Sequence, residues 1–242
     1  MCKISNFLRC LAATFAGLLV ISSCQPESKG FPTNKKEIMD AFVAGTLDES
    51  YVPAAFFIHF PGRDSKVGEG AVRSHLNYLL QTNADILKVQ FEQRVSKIKG
   101  LDKQETWDSI KAIPTDFYRP TFEVIKKLNE YVGKDVYILP TVYSPYQVAR
   151  QSLGDDNIAK AAVERPADLK RVLGYYATAL EWFVNACKEI GIEGFYMTTQ
   201  GGEMKYYYIP GFFEELIKPF DRAAAQIAAH LPRRAGVVLF LE

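Results

Sequence analysis

The sequence predicts an α/β fold built around a parallel sheet. Two observations carry that expectation. Short continuous apolar runs, bounded by proline or glycine, alternate along the chain with amphipathic helical stretches. The runs are apolar at successive positions rather than at every second one, which is the pattern of strands covered on both faces. The connections between runs are long, so an αβ barrel and a doubly wound sheet both fit. With 242 residues, 48% of them hydrophobic and 13% aromatic, the chain can fill one sizeable core, which excludes disordered and collagen-like classes.

The elements follow in order. Lys35 to Leu47 has Ile38, Phe42 and Val43 on one helical face. Ala54-Ala55-Phe56-Phe57-Ile58-His59-Phe60, between Pro53 and Pro61-Gly62, reads as the first strand. Residues 71–83 read as a helix, and Ile86 to Phe91 as the second strand. Residues 104–111 and 121–131 read as helices, the latter with Phe122, Ile125 and Leu128 facing a core. Val136 to Leu139, closed by Pro140 and Pro145, is the third strand. Helices follow at 146–153 and 167–190; in the longer one Leu173, Tyr176, Leu180, Phe183, Val184 and Cys187 repeat at helical spacing, and Gly191 supplies the stop. Residues 192–197 form the fourth strand, 212–229 a helix, and Gly236 to Leu241 the fifth strand.

Charge and motifs remove several function classes. Lys and Arg total 29 against 28 Asp and Glu, a net charge of +1, which gives no electrostatic basis for nucleic-acid binding. The cysteines, Cys2, Cys10, Cys24 and Cys187, and the histidines, His59, His75 and His230, show no metal-site spacing, so neither a metal site nor a cofactor is evident. No glycine-rich dinucleotide fingerprint or Walker-type sequence follows a strand. Gly201-Gly202 is a pair only, and reads as a tight turn.

Residues 1–23 read as an export signal. Lys3 and Arg9 supply the positive region, and Leu11 to Ile21 is an apolar run too short to span a membrane. Ile21-Ser22-Ser23-Cys24 resembles a bacterial lipobox. The expectation is therefore cleavage behind Ser23, lipidation of Cys24, a polar tether over 24–36, and a domain over 37–242 held at the cell envelope. Removal of the leader leaves Cys187 as the single thiol besides Cys24, so the domain relies on its core rather than on disulfides.

Several segments resemble the uroporphyrinogen decarboxylase family, which includes tetrapyrrole decarboxylases and cobalamin-dependent methyltransferases on a (β/α)8 barrel. They are Ala84-Asp85-Ile86-Leu87-Lys88, Leu139 to Gly154 with Ser144-Pro145-Tyr146, Cys187 to Gly202, and Phe213 to Asp221 with Lys218-Pro219-Phe220-Asp221. The resemblance implies a barrel with its site at the carboxyl ends of the strands. Only five strand signals are visible, too few to close such a barrel, so the expectation is an incomplete barrel of about five βα units, for which an oligomer or a partner chain would supply the missing strands. The candidate ligand residues on that rim are His59, Arg63, Gln90, Glu92, Tyr143, Tyr146 and Gln200.

At the functional positions this chain departs from the family. Its Arg-Gln-Ala-Gly-Arg stretch reads His59-Phe60-Pro61-Gly62-Arg63 here. Its aspartate falls at Gln90, its tyrosine at Gln151 and its serine near Gln200. The expected function is thus an anionic, tetrapyrrole-like ligand bound at the rim, with the key catalytic positions substituted. The first alternative is a cobalamin-dependent methyltransferase, whose zinc-binding His-x-Cys pair is missing from Leu239-Phe240-Leu241. The second is a non-catalytic, lipid-anchored binding protein. The residues carry bland readings too. His59 fits a satisfied core histidine, Glu92 a surface ion pair, and one of Tyr143 and Tyr146 plain packing.

Overall fold

A computed structural model of the chain describes residues 35–56 and 58–229. Helix α1 (Lys35–Ala44) is followed, after a long irregular segment, by α2 (Gly68–Thr82) and strand β1 (Ile86–Val89). A short α3 (Gln104–Ser109) and α4 (Arg119–Val132) lead to β2 (Tyr137–Tyr143). Helices α5 (Pro145–Leu153), α6 (Asp155–Glu164) and α7 (Pro166–Glu189) lead to β3 (Tyr196–Thr198). A π-helical turn over Phe212–Ile217 runs into α8 (Lys218–Ala229).

The three strands are parallel and lie in the order β1-β2-β3. Strand β2 pairs with β1 over Tyr137 to Pro140 and with β3 over Thr141 to Tyr143. Pro140 falls at the changeover between the two ladders. That is how a residue without an N–H sits inside a central strand. The strand therefore runs on past Pro140, where the sequence pattern ended it.

Helix α7 is the main support. Leu173, Tyr176, Leu180, Phe183, Val184 and Cys187 are all buried, as their spacing requires. It packs against α4, α5, α6 and α8. The helical core joins Trp107, Tyr146, Leu153, Ile158, Leu173, Phe212 and Ile217. Burying apolar surface on this scale is the main favourable contribution to the fold. Gly191, at φ 87°, turns the chain out of α7 and donates its N–H to the Lys188 carbonyl at 2.9 Å.

Two sequence expectations are corrected here. The fold is not a (β/α)8 barrel, complete or partial: among the described residues there are three strands in one unclosed sheet, under a larger mass of helix. With the barrel goes the reason for a partner chain to complete it. The expected strand 54–60 forms no ladder in its described residues. Among its described residues Phe56 and Ile58 are exposed and only Phe60 is buried, edge-on to His75 and Tyr78. Where the segment meets β1, the Asp85 backbone N–H reaches the Ala54 carbonyl at 2.8 Å, while the Asp85 carboxylate takes the Ala54 N–H at 2.8 Å, so a side chain stands in for a backbone acceptor there. The expected strand 236–241, the expected leader 1–23, Cys24 and nearly all of the tether lie outside the described residues.

Candidate functional site

A cleft of about 430 Å³ opens at the carboxyl ends of β1 and β2. Parallel strands direct their carboxyl ends and following loops to one edge, which is where α/β proteins commonly bind ligands. The β1 side contributes Phe91, Glu92, Gln93, Arg94, Val95 and Lys97; the β2 side contributes Tyr143 and then Gln147, Arg150 and Gln151 from α5. His59 comes from the irregular segment before α2. Ser144 fixes the start of α5 as its N-cap, accepting a hydrogen bond from the Gln147 N–H at 3.2 Å, with Pro145 at the first helical position. Gln147, Arg150 and Gln151 then share one face by their i, i+3, i+4 spacing.

The charges in the cleft are arranged in two clusters. Glu92 is nearly buried and accepts from His59 Nδ1 at 3.0 Å and from Lys66 Nζ at 3.3 Å. Arg150 grips Asp155 with Nε and with a second nitrogen at 3.0 Å, while Lys205 reaches the same carboxylate at 2.8 Å. Burial opposes the charge on Asp155, but these bonds outweigh it and bring its pKa down to about 2. Gln93 is held by the Thr121 hydroxyl of α4. Among the described residues Arg94 and Lys97 have no ion-pair partner. Burial raises the Tyr143 phenol, and the nearby Glu92 charge adds to it.

Below the cleft the sheet face turns polar. Lys88 lies over the Tyr196 ring at 4.2 Å and donates to Gln90 Oε1 at 3.0 Å. Burial pulls its pKa down to about 8, against a smaller opposing effect of Glu92.

The seven sequence candidates separate. His59, Glu92 and Tyr143 line the cleft. Gln90 lies one residue past β1, buried, with its N–H on His75 Nε2 at 3.2 Å. Arg63 is exposed in the loop between His59 and Lys66, outside the cleft lining. Tyr146 is buried in the helical core, edge-on to Tyr206 and Phe212. Gln200 follows β3 half-buried, also outside the lining. Sequence reasoning missed Gln147 and Arg150, although their spacing after a capping serine was readable. Arg94 and Lys97 gave no signal of their own. Gly201 serves a turn: its φ is 105° and its N–H is taken by Glu203 at 2.6 Å. Among the described residues no three His, Cys, Asp or Glu side chains are grouped to hold a metal ion.

No family model matches the chain, and no curated protein matches it. Among solved structures it is similar to a methyltransferase from Methanosarcina mazei, at 16% identity with a TM-score of 0.55. The match covers 74% of this chain and 58% of that one. At this identity the likeness shows the fold alone. The decarboxylase reading is overturned: no family model matches, and among the described residues the three-stranded sheet is not the barrel that reading requires.

Proposed function

We propose that this chain is a methyltransferase-like enzyme that binds a small molecule in the cleft at the carboxyl ends of β1 and β2. The observation that carries the reading is the His59–Glu92 pair at the cleft wall, on a fold similar to that of a methyltransferase. A methyl acceptor such as a thiol must lose a proton as it becomes the nucleophile. A histidine oriented by a carboxylate through Nδ1 presents Nε2 for that proton. Glu92 holds the imidazole, Lys66 steadies Glu92, and Arg150 is kept rigid by Asp155. Arg94 and Lys97 give the wall a positive excess suited to an anionic substrate.

The test supplies methylcobalamin or S-adenosylmethionine with a panel of thiol and amine acceptors and reads methyl transfer by mass spectrometry. Turnover that falls about 100-fold or more in His59→Gln supports the reading. Binding of acceptors with no transfer from either donor overturns it in favour of a non-catalytic binding protein.

The Ile21-Ser22-Ser23-Cys24 sequence supports a second proposal, anchoring at the cell envelope through an acylated Cys24. Stable anchoring needs more than one acyl chain. Cys24→Ala should release the protein from membranes, and an unchanged membrane fraction counts against the anchor.

A further inference from the structure

A second cavity, of about 410 Å³, lies between the loop that follows β3 and the π-helical turn Phe212–Ile217. It shares no lining residue with the cleft. Part of its wall is packed shut. Tyr206 and Phe212 are buried and stack at 4.4 Å, and Lys205 lies over the Tyr206 ring at 4.9 Å. The next residue along each segment is the opposite. Tyr207 and Phe213 line the same cavity, are 85% and 44% exposed, and pack on no other ring among the described residues. Met204 beside them is exposed too. One exposed apolar side chain is ordinary, but three around one cavity form a patch of the kind that marks a contact surface. A π-helical turn is itself rare and is found mostly at functional sites. The charge of the wall has one sign. Among the described residues the lining holds two carboxylates and no lysine or arginine. Glu214 is already paired with Lys218 at 2.6 Å. Glu203 takes the Gly201 N–H at 2.6 Å and has no cationic partner among the described residues.

We propose that this cavity is a binding site for a small methylated ammonium cation, held against the Tyr207 and Phe213 rings and neutralised by Glu203. The face of an aromatic ring is the negative end of its quadrupole, so rings and a carboxylate call for the same sign of ligand. An anion would meet Glu203 unopposed. A purely apolar ligand would cover the carboxylate without compensating its charge, which is costly. A bare ammonium or a metal ion needs several oxygen acceptors around it, and apart from the glutamates these side chains offer ring and aliphatic surface. Methyl groups on the nitrogen remove that demand. They replace N–H donors and carry the positive charge on an apolar shell that packs against rings. A bilayer with anionic lipids is the poorer occupant, because Glu203 and Glu214 would face a negative surface. The volume is that of a small-molecule pocket. The inference goes beyond the methyl-transfer reading and does not depend on it, since the two sites have separate linings.

The experiment measures binding to the full chain by calorimetry with three probes: choline, the neutral dimethylbutanol that has carbon in place of its nitrogen, and ethanolamine, which keeps the charge and lacks the methyl groups. Choline should bind about tenfold more tightly than either of the others. Tyr207→Leu and Phe213→Leu, at exposed positions where the fold tolerates change, should each weaken choline binding severalfold. Glu203→Gln should narrow the preference for choline over the neutral alcohol. Equal affinity for choline and the alcohol overturns the proposal and leaves an apolar pocket. Equal affinity for choline and ethanolamine overturns the methylated-cation assignment. Binding of none of the three overturns it as well, and binding to phosphatidylglycerol vesicles in that case makes the patch a membrane contact. The readout needs no turnover, so its failure is distinguishable from failure of the methyl-transfer reading.

Discussion

Asp85 and Lys88 lie three residues apart around one strand, and their surroundings are opposite. Asp85, at the amino end of β1, is saturated. Lys35 Nζ binds it at 2.7 Å, the Tyr51 hydroxyl at 2.6 Å and the Ala54 N–H at 2.8 Å. Burial opposes its charge, yet the three donors outweigh that and hold its pKa below the usual carboxylate value. The apolar cluster of Met39, Ile86, Tyr137, Leu139 and Tyr196 closes this end of the sheet. At the carboxyl end Lys88 is desolvated, Gln90 Nε2 and Thr141 Oγ1 are buried with no hydrogen-bond partner among the described residues, and the cleft opens above. One end of the sheet is built to hold together; the other carries polar groups that cost stability. That is the expected division between scaffold and site, because functional groups are commonly held at a cost in stability.

The largest effect should come from breaking the closed end. Asp85→Ala strands the buried Lys35 ammonium and removes acceptors from Tyr51 and Ala54. Loss of about 3–5 kcal/mol in chemical denaturation is expected. The sign of its pH dependence follows from the lowered pKa. The Asp85 contribution is complete above the unfolded-state carboxylate value, near 3.9, and is lost as pH falls through the folded one. A smaller loss, about 2 kcal/mol, is expected for Gly201→Ala at the turn after β3. There φ is 105° and a Cβ would stand 3.0 Å from Ile217 and 3.1 Å from Tyr146. The smallest stability effect belongs to Glu92→Gln at the open end. Its partners are exposed or half-exposed, so less than about 1 kcal/mol should be lost, while methyl transfer should fall if Glu92 orients His59. Equal destabilisation by Asp85→Ala and Glu92→Gln would erase the distinction between the two ends.

The same contrast explains what was readable in the sequence. Continuous apolar runs marked β1, β2 and β3, and the 3.6-residue repeat marked α7, because burial alone decides those elements. The run at 54–60 misled because its apolar composition does not say whether a ladder partner exists. The sequence reading has no helix between 153 and 167, where α6 lies, and Gly154 stands between α5 and α6, with Asp155 and Asp156 favouring the start of the second. Of the residues that line the cleft, His59, Glu92 and Tyr143 are ones the sequence proposes from strand-end position. Lys88 was not, because a single lysine in an apolar run gives no sign of which side chains meet it across the sheet.

The most direct test of the division between the two ends is the unfolding free energy of Lys88→Met against the wild type from pH 6 to 11. In the wild type the folded pKa is about 8, below the unfolded lysine value, so the charge penalty is full below pH 8 and shrinks as pH rises toward the unfolded value. Removing the charge should stabilise the protein by about 1–2 kcal/mol at pH 7, after the lost contacts of the ammonium, the Gln90 bond and the Tyr196 ring contact among them, are set against it. The gain should disappear by about pH 10–11. Destabilisation by Lys88→Met at pH 7, with no dependence on pH, would make Lys88 part of the scaffold and contradict the account.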